Sequence, residues 1–236
     1  MSFLSVRGVS KYFGALVGVT GVDLDIERGR SVALFGPNGS GKTTLLRLLA
    51  TLSRPSEGTI SIAGVELSQD NPGLRSQIGV VSHDTYLYDD LTARENLQFH
   101  ARLHGVDPAA CERALEAVGL ADRGADRAGE FSHGMAKRLA LARATLHDPD
   151  LLLLDEPFSG LDRDSLSRID SRLREMNDTA LVIATHDIES GFGLADRVLL
   201  LSEGRLVGDV ETADCAGPTD LERRYDDLVH GGRSGG

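Results

Sequence analysis

Nine residues, Gly36-Pro37-Asn38-Gly39-Ser40-Gly41-Lys42-Thr43-Thr44, constrain this chain more than any other stretch. They follow the apolar run Ser31-Val32-Ala33-Leu34-Phe35, which reads as a buried strand. They precede Leu45-Leu46-Arg47-Leu48-Leu49-Ala50, which reads as a helix. A strand, a glycine-rich loop and a helix in that order is the context in which G-x-x-x-x-G-K-[ST] acquires meaning. Gly36, Gly39 and Gly41 let the backbone curl until successive N–H groups converge on one concavity, which suits phosphate oxygens. A helix beginning near Lys42 adds the positive end of its dipole. Lys42 can then reach β- and γ-phosphates, and the Thr43 hydroxyl can ligate Mg²⁺. The bland alternative is a glycine turn that happens to carry Lys-Thr.

A second stretch complements the first. Leu151-Leu152-Leu153-Leu154-Asp155-Glu156 is a fully apolar strand ending in two carboxylates. Phosphoryl transfer needs an acid to hold hydrated Mg²⁺ beside the phosphate loop, and Asp155 on a rigid strand suits that work. Hydrolysis also needs a group to orient or polarise water, and Glu156 is adjacent. Taken alone, two acids can simply solvate a strand end.

Around these stretches the chain reads as α/β. Strands are expected at Phe3–Val9 and Gly21–Ile26, the latter alternating apolar and acidic residues as a half-exposed antiparallel strand does. Others fall at Thr59–Gly64 and Ile78–Ser82. The character then turns helical. Thr92-Ala93-Arg94-Glu95 is a capping-box pattern opening a helix that Gly105 stops. Asp107-Pro108 caps another, and Ser132 a third with Met135, Leu139, Ala142 and Leu146 on one face. Residues 84–147 thus read as a helical insertion. Beyond it, Leu166, Ile169, Leu173 and Met176 mark a helix face, and Ala180–Ala184 is a buried strand running into Thr185-His186-Asp187. Arg197–Leu201 and Arg205–Gly208 flank a Glu203-Gly204 turn and read as a hairpin. Leu221–Val229 reads as one more helix, and Gly231–Gly236 as a frayed end.

The formal net charge of −11 argues against a general nucleic-acid binder, so no nucleic-acid partner is expected. Cys111 and Cys215 fit no metal or redox spacing, which points to a reducing, cytoplasmic compartment. No apolar run approaches the length that spans a bilayer, and the N-terminus shows no signal-peptide pattern. If the protein works at a membrane, another chain supplies the span.

Gly36–Thr44, Phe131-Ser132-His133-Gly134-Met135, Leu151–Pro157, Ser159-Gly160-Leu161-Asp162 and His186 occur in the order and rough spacing of the ATP-binding-cassette (ABC) ATPases. Tyr12, His83 and the helical segment fall where that family has its aromatic loop, glutamine loop and helical subdomain. The resemblance covers the chain to about residue 210. It implies a P-loop NTPase of the ABC type, with a mixed parallel core sheet, an N-terminal antiparallel β subdomain and an inserted helical subdomain. Residues 1–210 would form this single domain and 211–236 a C-terminal extension.

The resemblance also implies roles. Tyr12 would stack on adenine. Gly36, Pro37, Asn38, Gly39, Ser40, Gly41, Lys42, Thr43 and Thr44 would hold the phosphates, with Thr43, Asp155 and His83 at Mg²⁺. Glu156 would be the catalytic carboxylate, helped by Lys42 and the switch histidine, His186. Ser132 and Gly134 would contact the γ-phosphate of ATP in a partner subunit, and Asp162 would belong to the loop that follows the Asp-Glu strand. Each has a bland reading beside it. Tyr12 is also an ordinary loop aromatic, His186 a strand-end histidine, Ser132 an N-cap, and Asp162 alone says little.

Two positions depart from the family. The signature usually reads Leu-Ser-Gly-Gly-Gln, and here Phe-Ser-His-Gly-Met loses the glutamine's polar contacts at Met135. His83 stands where glutamine is usual, exchanging a neutral carbonyl for a titratable imidazole.

The resemblance implies a head-to-tail homodimer, or a pseudo-dimer with a related cassette, energising a separate transmembrane permease from the cytoplasmic side of the inner membrane. Asp84–Leu91 sets Tyr86, Leu87 and Tyr88 amid acids, as a docking surface needs, although a partly buried loop would read the same. The wording of His83–Gly105 and Phe131–Met135 is most similar to the heme-exporter branch of cytochrome c maturation. The alternatives are a generic drug or lipid exporter, or an ABC ATPase acting without a membrane, as in iron–sulfur assembly.

Overall fold

The computed structural model describes residues 2–67 and 72–230. The frayed end expected at Gly231–Gly236 lies outside these residues. Strands β1 (Leu4–Phe13), β2 (Leu16–Ile26), β4 (Glu57–Ile62) and β5 (Val65–Glu66) form an antiparallel sheet in the order β2-β1-β4-β5. A second sheet has the order β10-β9-β3-β8-β7-β6. Its strands are β3 (Ser31–Phe35), β6 (Ile78–Val81), β7 (Leu151–Asp155), β8 (Ala180–Thr185), β9 (Arg197–Ser202) and β10 (Arg205–Glu211). Pairing is parallel from β9 to β6, and β10 closes the edge antiparallel. The fold class read from the sequence is the one observed.

The side-chain period of two sorts β7 between two cores. Leu151 and Leu153 join Leu4, Val6, Leu34, Leu45 and Leu49 between the two sheets, around helix α1 (Lys42–Leu49). Leu152 and Leu154 face the other way, into Ala140, Ile169 and Leu173 of helices α4 (His133–Thr145) and α5 (Arg163–Arg174). The buried face of α5 is Ser165, Ile169 and Leu173; Leu166, expected on it, is exposed.

Between β6 and β7 come α2 (Ala93–His104), α3 (Ala109–Ala117) and α4, which enclose a third core around Leu97, Cys111, Leu115, Leu139 and Leu146. Thr92 and Glu95 form a reciprocal capping box on α2, and Gly105 ends that helix in the left-handed conformation at φ +67°. Arg138 of α4 donates to the carbonyls of Val118 and Gly119, tying α4 to the end of α3. After β8, helix α6 (Ile188–Leu194) and helix α7 (Pro218–His230) pack on β3 and β9 through Ile188, Val198 and Leu221.

Candidate functional site

The stretch after β3 turns on itself, with the Ser40 amide donating to the Pro37 carbonyl at 3.1 Å, before α1 begins. Gly41 holds φ +108°, and a β-carbon there would lie 2.5 Å from the Gly18 carbonyl oxygen, so glycine alone fits. The Lys42 ammonium folds back over the loop and donates to the Gly36 carbonyl at 2.7 Å and to Pro37 at 3.2 Å. Burial lowers its pKa, and the carboxylates of Glu156 and Asp155 work against that shift.

Parallel pairing of β7 with β8, and of β8 with β3, brings the strand ends to one edge of the sheet. The Thr43 hydroxyl donates to Asp155, 3.0 Å from Oδ2. Burial pushes the Asp155 carboxyl upward, while the Thr43 hydrogen bond pulls it back. One residue on, Glu156 leaves the strand at φ +50°, a conformation uncommon for a residue with a β-carbon. Its carboxylate accepts from the Thr185 hydroxyl at 3.3 Å and lies 2.9 Å from His186 Nδ1. These groups line one cleft of about 560 Å³, with His83 on its wall. His83 also lines a neighbouring groove with Leu52, Asp84 and Tyr86, so one imidazole borders both spaces.

The other end of the cleft is apolar, and there the structure departs from expectation. Strand β1 runs through Phe13, so Tyr12 and Phe13 point to opposite faces. Phe13, Leu16 and Val17 line the cleft. Tyr12 is not among its lining residues; its hydroxyl reaches Glu57 at 3.5 Å, and its amide donates to Ser56 Oγ. The expected loop aromatic is therefore a strand residue on the wrong face, and its neighbour takes the place beside the cleft.

Ser132 and Gly134 are likewise not among the lining residues of this chain's own cleft. Ser132 caps α4, accepting from the Met135 amide at 3.3 Å. A β-carbon on Gly134 would lie 2.5 Å from Ser165 Oγ, so glycine permits the start of α4 to approach α5. Asp162 caps α5, accepting from the Ser165 amide at 2.8 Å, and that hydrogen bond holds its carboxyl below the usual range. His133, where the family has glycine, lies 3.2 Å from the Ser159 carbonyl oxygen through Nε2. Ser159 itself lines the cleft.

Phe13, Thr185 and Lys137 escaped the sequence reading. Strand parity would have found Phe13 had β1 been extended past Val9. Thr185 precedes His186 at the end of an apolar strand. Lys137 is a charge in a helix that has no polar face, buried from Lys137 through Ala142.

The donors fit a divalent cation. Thr43 and Asp155 supply neighbouring hard oxygens, and burial of the carboxylate favours a positive charge beside it. Among the described residues no cluster of three or more His, Cys, Asp or Glu could hold a metal by itself, so phosphate oxygens and water would complete the shell. The chain thus offers a glycine-rich loop with a buried ammonium, two neighbouring oxygen donors that fit a cation, a carboxylate paired with an imidazole, and an apolar shelf.

A model of the ABC transporter family matches residues 19–159. The chain is 37% identical over 212 residues to the Nod factor export ATP-binding protein I of Burkholderia lata, covering 87% of this chain and 70% of that protein. It is 34% identical to the daunorubicin resistance ATP-binding protein DrrA3 of Streptomyces coeruleorubidus, covering 89% and 68%. Among solved structures it is similar to the ATP-binding cassette MJ0796, described as dimeric, post-hydrolysis and bound to ADP and Pi. That match has a TM-score of 0.82 and 27% identity, and covers 89% of this chain and 98% of the other.

Proposed function

The chain belongs to the ABC transporter family as an ATP-hydrolysing subunit, and we propose that it works as one half of a head-to-tail dimer driving a separate membrane-spanning exporter. The observation that carries this reading is the single cleft holding Lys42, Thr43, Asp155, Glu156 and His186, with His83 at its edge. Lys42 and the loop backbone bind the phosphates. Phe13, Leu16 and Val17 give the adenine an apolar surface. Thr43 and Asp155 would hold Mg²⁺, which would supply neutralisation of phosphate charge.

Glu156 accepts a proton from the attacking water, whose oxygen forms the new bond to the γ-phosphorus in line with the departing ADP oxygen. His186 orients that carboxylate and reaches toward the γ-phosphate. Ser132 and Gly134 lie away from their own cleft, which supports their completing the γ-phosphate site of a second copy. The relative described as dimeric and bound to ADP and Pi supports a dimer.

No helix among the described residues is long and apolar enough to cross a membrane. The exposed Tyr86 at the groove beside His83, with the exposed Tyr88 two residues further along the chain, supports docking of a membrane subunit there, on the cytoplasmic side of the inner membrane. Export of heme rests on the wording around His83 and Ser132 alone. Export of a drug or lipid is supported by relatives named for Nod factor export and daunorubicin resistance. Co-expression with candidate membrane subunits tests the assignment. Recovery in the membrane fraction only with a spanning partner, together with ATPase stimulation by that partner, is expected. Full activity in solution with no membrane recovery would defeat it.

A further inference from the structure

Helix α4 is buried without a break from Lys137 through Ala142, and the first of these residues is a lysine. Lys137 is 1% exposed, and its ammonium donates to the main-chain carbonyl of Glu156 at 2.5 Å. Burying an ammonium is costly unless it is paired and hydrogen-bonded. Here burial lowers its pKa, and the Glu156 and Asp155 carboxylates oppose that shift. The carbonyl it holds belongs to a residue at φ +50°. Such a backbone persists only where its surroundings over-determine it. The Glu156 amide, on the other side of the α-carbon, donates to the Ala184 carbonyl at 2.9 Å. Both peptide units around Glu156 are thus pinned, one to β8 and the other to α4.

We propose that Lys137 is a positioning residue for hydrolysis: by holding the Glu156 carbonyl it fixes the left-handed backbone that aims the Glu156 carboxylate into the cleft. The link also joins the carboxylate to the helix whose capped start presents Ser132 and Gly134. Movement of α4 on engaging a second copy is thereby transmitted to the position of the Glu156 side chain. The inference rests on the reading of Glu156 as the base for water.

The test uses the purified full chain with ATP and Mg²⁺, comparing Lys137→Met, Lys137→Gln, Glu156→Gln and the double variant Glu156→Gln/Lys137→Met under single-turnover conditions. Lys137→Met is expected to lower the hydrolysis rate on the order of tenfold or more, with ATP affinity within about threefold of wild type. Lys137→Gln, which keeps a donor without the charge, should recover part of the loss. In the Glu156→Gln background, adding Lys137→Met should change the residual rate by less than about twofold, because both act through one carboxylate. Wild-type turnover in Lys137→Met, a loss confined to ATP affinity, or factors that multiply in the double variant would overturn the proposal. Should Lys137→Met not fold, as judged by thermal melting, Lys137→Gln alone and combined with Glu156→Gln decides by the same criteria. Glu156→Gln by itself reports on the base: wild-type turnover there defeats that assignment, independently of what Lys137 does.

Discussion

His186 Nδ1 lies 2.9 Å from Oε1 of Glu156, and the Thr185 hydroxyl donates to the other carboxylate oxygen at 3.3 Å. Consecutive residues at the end of β8 therefore grip both oxygens of one carboxylate at the end of β7. A carboxylate held this way has a fixed direction and keeps lone pairs able to take a proton from water. Glu156→Gln preserves the shape and removes that basicity. Hydrolysis should fall by at least two orders of magnitude or so, the scale of general-base catalysis. ATP binding should survive, and size-exclusion chromatography with ATP should show a persistent dimer. Retained turnover would remove Glu156 from the mechanism.

Lys42→Ala should fail at a different step. The Lys42 ammonium is buried over the loop, and on the proposed function it would meet phosphate oxygens before any chemistry. Loss of a charge-assisted contact of this kind costs on the order of tenfold or more in nucleotide affinity. Equilibrium binding of a fluorescent ATP analogue measures it. Wild-type affinity with slowed hydrolysis would mean that Lys42 acts on the transition state instead.

The apolar end of the cleft gives a sharper contrast. Phe13→Ala should raise the KM for ATP several-fold, since stacking of a base on an aromatic ring contributes about 1–3 kcal/mol. Tyr12→Ala should leave it within about twofold, because Tyr12 turns toward Glu57. The reverse ranking in steady-state kinetics would restore Tyr12 as the platform.

The difference between those neighbours shows where sequence stops being legible. Strands β3 and β7 are continuous apolar runs, and their ends fix Lys42, Asp155 and Glu156 through local pattern alone. The cap at Thr92 and the stop at Gly105 are equally local, and both stand in the structure. Tyr12 and Phe13 were ambiguous because one residue of strand length decides which ring faces the cleft. Lys137 was invisible for another reason. Its partner is a main-chain carbonyl 19 residues away, and no side-chain pattern encodes a backbone at φ +50°.

His83 borders both the cleft and the Tyr86 groove, so a change of side chain there reaches both spaces. Glutamine offers a neutral carbonyl where imidazole offers a ring nitrogen. On the proposed function, His83→Gln should change the KM for ATP and the stimulation by a membrane subunit together, which steady-state kinetics with and without that subunit measures. Unchanged values for both would show that His83 is a silent replacement.

His100 offers a pH dependence of stability with a definite sign. It sits on α2 with His104; His104 stacks on His147 at 4.0 Å between ring centroids, and Arg143 of α4 adds a positive charge nearby. Burial, then Arg143, His104 and His147, lower the pKa of His100 from 6.5 to about 4. Burial lowers that of His147 as well. At pH 7 the His100 imidazole is mostly neutral in both the folded and the unfolded chain. As pH falls below 6.5, the unfolded chain takes up a proton that the folded chain refuses until about pH 4. The unfolded state then binds more protons, so stability must fall with pH across that window, by at most about 1.4 kcal/mol per pH unit for one group. Urea unfolding at pH 7, 6 and 5 measures the slope. His100→Gln, which cannot take up this proton, should lose one proton's share of it. An unchanged slope would mean that His100 is protonated as readily in the fold as out of it.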